Sequence, residues 1–334
     1  MNSYQRTMAR LAGEPVDRLP AQPIFMLLAA KLIGRTYEDY VRDYRVCAEA
    51  QLNLVEEFGV DMVSLCSDPW REAGDCGTEL IYFEAQPPAA KRHLLADKSA
   101  LADLRAPDPA SGPRMSDRIQ GVRLLKEQVG GEVPVLGWVE GPLAEAADLR
   151  GLNEILEDLM LDPGFAQDVL DFATEMEISF AQAQVAAGAD VVGIGDAAAS
   201  LVSPELYVSF VLPGERRIAE AIHQAGAKVR LHICGNTNHL IEHMARVGAD
   251  QVELDYPVDL ARARAALGPE VCMLGNMDPV RVIEHGTPDQ IKRACAECHE
   301  LAGERYILAA GCEVPPGTPR QNVRAMFEYA ASTT

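Results

Sequence analysis

A chain of 334 residues with a formal net charge of −20 is a poor partner for nucleic acid, because its acidic surface would repel the phosphates. The charge also argues against an anionic membrane. No apolar run approaches the roughly 20 residues that span a bilayer, and the amino terminus lacks a signal-peptide core. Eight cysteines are too few and too irregularly spaced for a disulfide framework, so we expect a cytoplasmic protein with reduced thiols.

The chain opens with a short amphipathic helical pattern that ends before Pro20, and strands and helices alternate after it. Short runs rich in β-branched residues predict eight strands, at residues 22–26, 61–66, 133–139, 191–195, 228–233, 251–254, 271–275 and 306–310. Helical patterns lie between most neighbours, at residues 37–58, 116–129, 164–187, 204–225, 237–247, 260–267 and 287–302. Several of these helices end at a glycine, the residue that most often follows a helix carboxyl terminus.

Eight alternations of strand and helix predict parallel pairing with right-handed crossovers, and eight such units close into a (β/α)8 barrel, an α/β fold. The alternative is an open, doubly wound sheet divided between two domains. We favour a single barrel domain over residues 1–334, because eight repeats in a chain of this length match the usual size of that fold. The first helix would cap the bottom or the flank of the barrel.

The longest interruption of the alternation lies between the second and third strands, at residues 67–132, which we call the excursion. Two short extended segments at residues 78–83 and 91–95 flank a pair of prolines and predict a two-stranded hairpin. We expect the excursion to lie over the barrel mouth and to act as a lid.

Polar and metal-ligating residues follow nearly every predicted strand. All strands of a barrel end at one mouth, so these side chains converge there without any local spacing rule. The residues concerned are Asp68, Glu140, Asp196, His232, Cys234, Asp255, Asn276, Asp278, Cys312 and Glu313. We therefore predict a functional site at the carboxyl ends of the strands.

His232 and Cys234 lie on one face of the fifth strand, because side chains alternate with period two, and Cys312 follows the eighth. One histidine and two cysteines suit Zn²⁺ and leave a fourth position for substrate, as in a catalytic rather than a structural site. The alternative is that both cysteines are small buried apolar residues. The residues alone leave both interpretations open.

Two carboxylates and one ion pair complete the expected site. Glu140 is either a fourth metal ligand that the substrate displaces or a hydrogen-bond acceptor. Asp196 either orients substrate as an acid or base, or caps the helix that begins near residue 203. Strand parity also places Glu253 inside the barrel beside Arg230, and we expect these two residues to form a buried pair.

The chain resembles the uroporphyrinogen decarboxylase superfamily, and within it the zinc-dependent, corrinoid-linked methyltransferases. The stretch His232-Ile-Cys234-Gly-Asn-Thr237, with the distant Gly311-Cys312, matches the metal pattern of those methyltransferases. Two further stretches, Asp196-Ala-Ala-Ala-Ser200 and Gly275-Asn-Met-Asp-Pro279, mark only the superfamily. The resemblance extends from about Arg6 to about Ala330. The decarboxylases carry arginines after the first strand, whereas this chain has Phe25-Met-Leu-Leu-Ala-Ala-Lys31 there.

The resemblance implies a zinc enzyme that transfers a methyl group to or from the cobalt of a corrinoid, a cobalamin-type cofactor carried by a partner protein. Asp68, Asp255, Asn276 and Asp278 would then face the substrate or the docked corrinoid. Glu140 at the mouth favours a donor that is not a thiol, and we expect a methoxylated aromatic that undergoes O-demethylation. Three alternatives stay open: methyl transfer from a methylcorrinoid to tetrahydrofolate, uroporphyrinogen decarboxylation, and a metal-free barrel that binds a corrinoid partner. A homodimer is compatible with each.

Overall fold

The computed structural model describes residues 1–333. Its strands are β1 (Val63–Ser64), β2 (Leu80–Ile81), β3 (Ala89–Ala90), β4 (Val135–Glu140), β5 (Val191–Gly195), β6 (Lys228–Ile233), β7 (Gln251–Leu254), β8 (Cys272–Gly275) and β9 (Tyr306–Ile307). Seven of them form one parallel sheet in the order β1-β4-β5-β6-β7-β8-β9, and β2 pairs with β3 in a separate antiparallel hairpin. The order follows the chain, as crossover connections require.

The sheet closes through the segment around Ala21. The backbone of Gln22 donates to Leu308 beyond β9 at 2.8 Å, and the backbone of Asp61 before β1 donates to Ala21 at 3.0 Å. The predicted first strand at residues 22–26 is shortened to a single bridge one residue earlier, between Ala21 and Leu308. The prolines at positions 20 and 23 lack an N–H for a ladder, which explains the shortening. The predicted (β/α)8 barrel is confirmed.

The helices are α1 (Ser3–Ala12), α2 (Leu27–Leu32), α3 (Tyr37–Arg42), α4 (Tyr44–Phe58), α5 (Arg71–Asp75), α6 (Pro113–Val129), α7 (Pro142–Arg150), α8 (Leu152–Leu161), α9 (Pro163–Ala187), α10 (Pro204–Leu206), α11 (Leu212–Ala225), α12 (Ile241–Met244), α13 (Leu260–Leu267), α14 (Pro288–Ala302) and α15 (Arg320–Ala331). A π-helical turn at Tyr207–Val211 joins α10 to α11, and another lies at Pro279–Glu284. Among residues 1–333, no helix is long and apolar enough to cross a bilayer.

Three predicted helices differ in the structure, and one of them, at residues 204–225, is interrupted by the π-helical turn after α10. The pattern at residues 37–58 is divided at Asp43, whose backbone is extended (φ −132°, ψ 112°) and whose carboxylate accepts from the N–H of Arg45 at 2.9 Å. Because the backbone of an N-cap residue is not helical, Asp43 begins α4 and cannot continue α3. The pattern at residues 237–247 is reduced to α12. The sequence pattern also missed α7 and α8, which follow β4 directly.

Helix α1 covers the amino-terminal ends of the strands, as predicted. The guanidinium of Arg6 lies 2.7 Å from the carboxylate of Asp61, which also pairs with Arg18 at 2.7 Å. The buried Asp61 side chain further accepts from the backbone of Ala21 at 2.9 Å. This network ties α1 to the base of β1, so the carboxyl ends of the strands remain the accessible end of the barrel.

Candidate metal centre and active site

The side chains of His232, Cys234 and Cys312 meet at the carboxyl ends of the strands. Their potential ligand atoms all lie within 4.8 Å of one another. His232 Nε2 is 2.9 Å from Cys234 Sγ, and Cys234 Sγ is 3.7 Å from Cys312 Sγ. The separation between the sulfurs is far longer than a disulfide, and both cysteines are free. The predicted convergence of β6 with the loop after β9 is therefore confirmed.

This donor group fits a tetrahedral zinc ion. Two thiolates bound at about 2.3 Å with tetrahedral angles would lie about 3.8 Å apart, close to the observed sulfur distance of 3.7 Å. His232 is buried and presents Nε2 to the sulfurs, whereas its Nδ1 has no hydrogen-bond partner among the described residues. Cys234 and Cys312 are partly exposed, as expected for ligands that an exchanging metal or substrate must reach.

Inside the barrel, Glu253 supports His232 from the neighbouring strand. The two residues are register partners in β6 and β7, and Glu253 Oε2 lies 3.7 Å from His232 Nδ1. The same oxygen is 3.8 Å from Arg230 Nη1, so the predicted buried Arg230–Glu253 pair is confirmed. The distance from Glu253 to His232 is longer than a hydrogen bond, so this carboxylate acts on the imidazole through its charge. Burial lowers the pKa of His232, but Cys312 and Glu253 outweigh it and raise the pKa to about 9.

Asp255 and Asn276 hold the loops that carry the cysteines. Asp255 accepts from the backbone of Gly235, next to Cys234, at 2.6 Å. Asn276 donates to the carbonyls of Asp255 and Val258 at 3.2 and 2.7 Å. At Gly311, beside Cys312, an added Cβ would lie 2.5 Å from the backbone of the residue after Asp255, so only glycine allows this close approach. Asp255 and Asn276 thus position the loops that carry Cys234 and Cys312.

Asp278 lies further from the centre. Its carboxylate accepts from the backbone N–H groups of Val280 and Arg281 at 3.0 and 2.8 Å and so begins the π-helical turn that follows β8. It does not line the cavity described below. Its predicted role toward substrate or corrinoid stays a prediction.

A cavity of about 180 Å³ adjoins the donor group. Its wall combines apolar side chains with a few acidic ones and one arginine: Ile24, Met26, Cys66, Asp68, Pro69, Arg71, Trp138, Glu140, Gly195, Ala197, His232, Cys234, Cys312 and Glu313. The indole of Trp138 lies 6.3 Å from the imidazole of His232, measured between ring centres. Two glycines of β5 make room for it, because a Cβ at Gly193 or Gly195 would lie 2.3 or 2.8 Å from the indole.

Glu140 lies in the cavity wall but outside the group of three donors. Its Oε1 accepts from Arg71 Nη2 at 2.8 Å. Burial raises the pKa of Glu140 to about 8 despite the opposing charge of Arg71. Nearby, Asp68 is buried and accepts from Arg114 at 2.6 Å and from Ser67 Oγ at 2.8 Å. The excursion therefore supplies two arginines to carboxylates at the barrel mouth.

Asp196 caps a helix, although a different helix from the expected one. Its two carboxylate oxygens accept from the backbone of Leu143 at 3.2 Å and of Ala144 at 2.8 Å, in the first turn of α7. The side chain is fully buried, and burial raises its pKa to about 7. Helix α7 follows β4, the neighbour of β5, so the cap acts across adjacent strands. The acid–base role of Asp196 stays a prediction.

Sequence reasoning expected residues 68–76 to line the mouth but did not single out Arg71 or Trp138 as site residues. Arg71 lies on α5, several residues beyond the end of β1, where no strand-end rule applies. Trp138 lies within β4, and its period-two position on the same face as Glu140 was the signal that could have placed it in the barrel interior. Both residues now belong to the cavity wall.

Comparison with known proteins agrees with this architecture. A family described as uroporphyrinogen decarboxylase (URO-D) matches residues 2–333. The chain is 29% identical to the methylcobamide:CoM methyltransferase MtbA of Methanosarcina mazei, over 98% of this chain and 96% of that protein. It is 30% identical to a methylated-thiol–coenzyme M methyltransferase of the same organism, over 100% of this chain and 90% of that protein. A solved structure described as a methyltransferase from Methanosarcina mazei has a TM-score of 0.91 at 26% identity, covering 99% of this chain and 98% of that one.

The chain belongs to the uroporphyrinogen decarboxylase family, and its relatives place it in the branch of corrinoid-dependent methyltransferases. The prediction of a methyltransferase is confirmed.

Proposed function

We propose that this protein is a zinc-dependent methyltransferase that moves a methyl group between a small substrate and the cobalt of a corrinoid on a partner protein. The observation that carries the proposal is the His232–Cys234–Cys312 group, whose donor types and sulfur spacing suit zinc beside a cavity. The methylcobamide:CoM relative supports the corrinoid as the other reactant. Zinc held there would act as a Lewis acid on the substrate atom that bears the methyl group.

The surrounding residues would position these ligands. Glu253 would attract the His232 imidazole electrostatically, and Asp255 would fix the backbone after Cys234 through Gly235. Asp68 and Asn276 would shape the mouth, and Asp278 would lie toward the docked partner. The excursion at residues 67–132 would form part of the docking surface or move aside. The buried acidic groups around the cavity would discourage anionic ligands.

For the substrate, a neutral methoxylated aromatic fits the cavity best. Ile24, Met26 and Trp138 offer apolar and aromatic surface. Arg71 is the one arginine or lysine among the described lining residues, and it already pairs with Glu140 and Glu72. An anionic substrate would therefore find no unpaired arginine or lysine in this wall. The same argument disfavours a porphyrinogen with several carboxylates.

A thiol is the second candidate substrate. Two relatives are named for transfer to coenzyme M, and one of them for methylated thiols. Because Glu140 pairs with Arg71 instead of joining the three donors, a thiolate could occupy the fourth position of a zinc ion. Transfer to tetrahydrofolate is a third outcome that the same assay detects.

The test is a direct assay of the cobalt. Reduced and methylated corrinoids differ strongly in visible absorbance, so the purified protein is mixed with cobalt(I) corrinoid and methoxylated aromatics, and in reverse with methylcorrinoid and thiols or tetrahydrofolate. We expect methylation of the corrinoid by methoxylated aromatics. Reaction with thiols alone would overturn the substrate and keep the enzyme class. A metal-free protein that only binds corrinoid, or one that decarboxylates a porphyrinogen, would overturn the proposal.

Two cysteine variants make the assay specific. Cys234→Ala removes a sulfur from the donor group. Cys272→Ala removes a sulfur at the amino-terminal end of β8, at the other end of the barrel, where Cys272 packs in a cluster with Leu11 of α1. Only the first should abolish transfer. Equal loss in both would indicate a general effect on folding.

A further inference from the structure

A second group of potential ligands lies behind the cavity. Glu72 of α5, Glu145 of α7 and Glu177 of α9 place carboxylate oxygens within 4.8 Å of one another, and each residue is 0% exposed. Three separate helices therefore direct acidic side chains to one point. Buried acidic residues are rare unless they are paired or bind a metal, so their meeting requires an explanation.

These carboxylates have almost no hydrogen-bond partners. Both oxygens of Glu145, both of Glu177 and Oε2 of Glu72 are buried without a partner among the described residues. A buried acceptor left without a partner destabilises the fold, and a charged one does so more strongly. Glu177 and Glu145 are thus unpartnered, fully buried side chains that point into the group.

The local charge is equally unbalanced. Arg71 Nη2 lies 3.2 Å from Glu72 and 2.8 Å from Glu140, so one guanidinium is shared between the group and the cavity. Asp148 of α7 adds a further carboxylate, whose Oδ2 is buried without a partner. One arginine cannot neutralise this set. Either additional positive charge or bound protons must compensate.

We propose that Glu72, Glu145 and Glu177 bind a hard divalent cation of the Mg²⁺, Mn²⁺ or Ca²⁺ class. The three donors are all carboxylate oxygens, the ligands that these ions prefer, and no nitrogen or sulfur donor belongs to the group. The bound ion would join α5, in the excursion, to α7 and α9 on the barrel.

Shared protons are the rival explanation. Burial raises the pKa of Glu145 and of Glu177 well above the usual range, and neighbouring carboxylates raise both further. Without a cation, the raised pKa values favour the protonated forms of these carboxylates. A cation must displace those protons, so its affinity should increase as the pH rises. Proton sharing predicts no cation binding at any pH.

The test uses Mn²⁺ alone and the full-length Cys234→Ala protein, in which the sulfur site is disabled. Electron paramagnetic resonance of free Mn²⁺ should show about one ion bound per chain. A hundredfold excess over Kd should raise Tm by roughly 5 °C. Binding should tighten as the pH rises. No binding at millimolar Mn²⁺, with Tm unaffected, would overturn the proposal in favour of shared protons.

Two substitutions on α9 locate the ion. Glu177→Gln removes one donor, whereas Glu175→Gln removes an exposed carboxylate of the same helix that pairs with Arg217. We expect the first to weaken Mn²⁺ binding by about 10-fold to 100-fold and the second to leave it unchanged. Glu145→Gln should repeat the loss, and it serves if Glu177→Gln does not fold. Unchanged binding in the Glu177 and Glu145 variants would place the ion elsewhere and refute the site.

Discussion

The two groups of potential ligands differ in chemistry, in support and in exposure. The His232–Cys234–Cys312 group has soft donors at the ends of barrel strands and adjoins a cavity. The three glutamates are hard donors on helices, and they are fully buried. An accessible site with exchangeable positions suits catalysis, whereas a sealed site suits structural binding. The Arg71–Glu140 pair lies between them, because Arg71 contacts Glu140 in the cavity wall and Glu72 in the group of glutamates.

The largest expected effect separates the two groups by metal type. Cys234→Ala should reduce zinc from about one ion per chain to a trace, with the fold retained, because two remaining ligands hold zinc poorly. Methyl transfer should fall by at least about a thousandfold, since a Lewis acid contributes several kcal/mol. Elemental analysis and the cobalt assay measure both quantities. A variant that keeps its zinc would show that the metal lies elsewhere.

The second prediction concerns buried charge inside the barrel, where a carboxylate does have a cationic neighbour. Glu253→Ala should destabilise the protein by about 3–5 kcal/mol, because it leaves the buried Arg230 without a counter-charge. The double variant that also replaces Arg230 by Met should recover part of the loss. Urea unfolding of the four proteins gives the free energies. Strictly additive losses would mean that the two residues are not coupled.

The third prediction tests Glu140 at the boundary between the groups. Glu140→Gln should leave the zinc content near that of the unsubstituted protein, because the carboxylate pairs with Arg71 and does not join the three donors. Methyl transfer should slow by about 30-fold, because the cavity wall loses an ionisable group. Zinc analysis and the cobalt assay are run on the same preparation. Loss of zinc comparable to that in Cys234→Ala would make Glu140 a fourth ligand, the other role considered from the sequence.

The smallest expected effect is a pH dependence at Asp196. Burial raises its pKa from 3.8 to about 7, so the folded protein holds this proton more tightly than the unfolded chain. The resulting stabilisation is complete below pH 4 and is lost as the pH rises through 7. Between pH 6 and pH 8, the free energy of unfolding should fall by about 1 kcal/mol more in the unsubstituted protein than in Asp196→Asn. Parallel pH profiles would show that Asp196 is ionised throughout.

The comparison also shows what the sequence could predict. Strands β5, β6 and β7 have the predicted bounds, and His232, Cys234 and Cys312 meet because each lies at or just beyond a strand end. Period-two alternation predicts which face of a strand a side chain occupies, and closure of the barrel predicts which face points to the interior.

The second group could not be predicted in the same way. Its members lie on α5, α7 and α9, and the contact between these helices depends on how the excursion packs on the barrel. No sequence period specifies that packing. The partner of Asp196 could not be predicted either, because this residue follows β5 but caps α7, which follows the neighbouring strand β4. The approach is close, since a Cβ at Gly141 would lie 2.3 Å from Asp196.

X-ray absorption at the zinc edge tests the central claim most directly. The resting protein should show two sulfur neighbours at about 2.3 Å and one nitrogen at about 2.0–2.1 Å, with a light atom in the remaining position. Addition of a methoxylated aromatic should keep two sulfurs, whereas a thiol substrate would add a third. Zinc with no sulfur neighbour, or no zinc in a fully folded protein, would contradict the account.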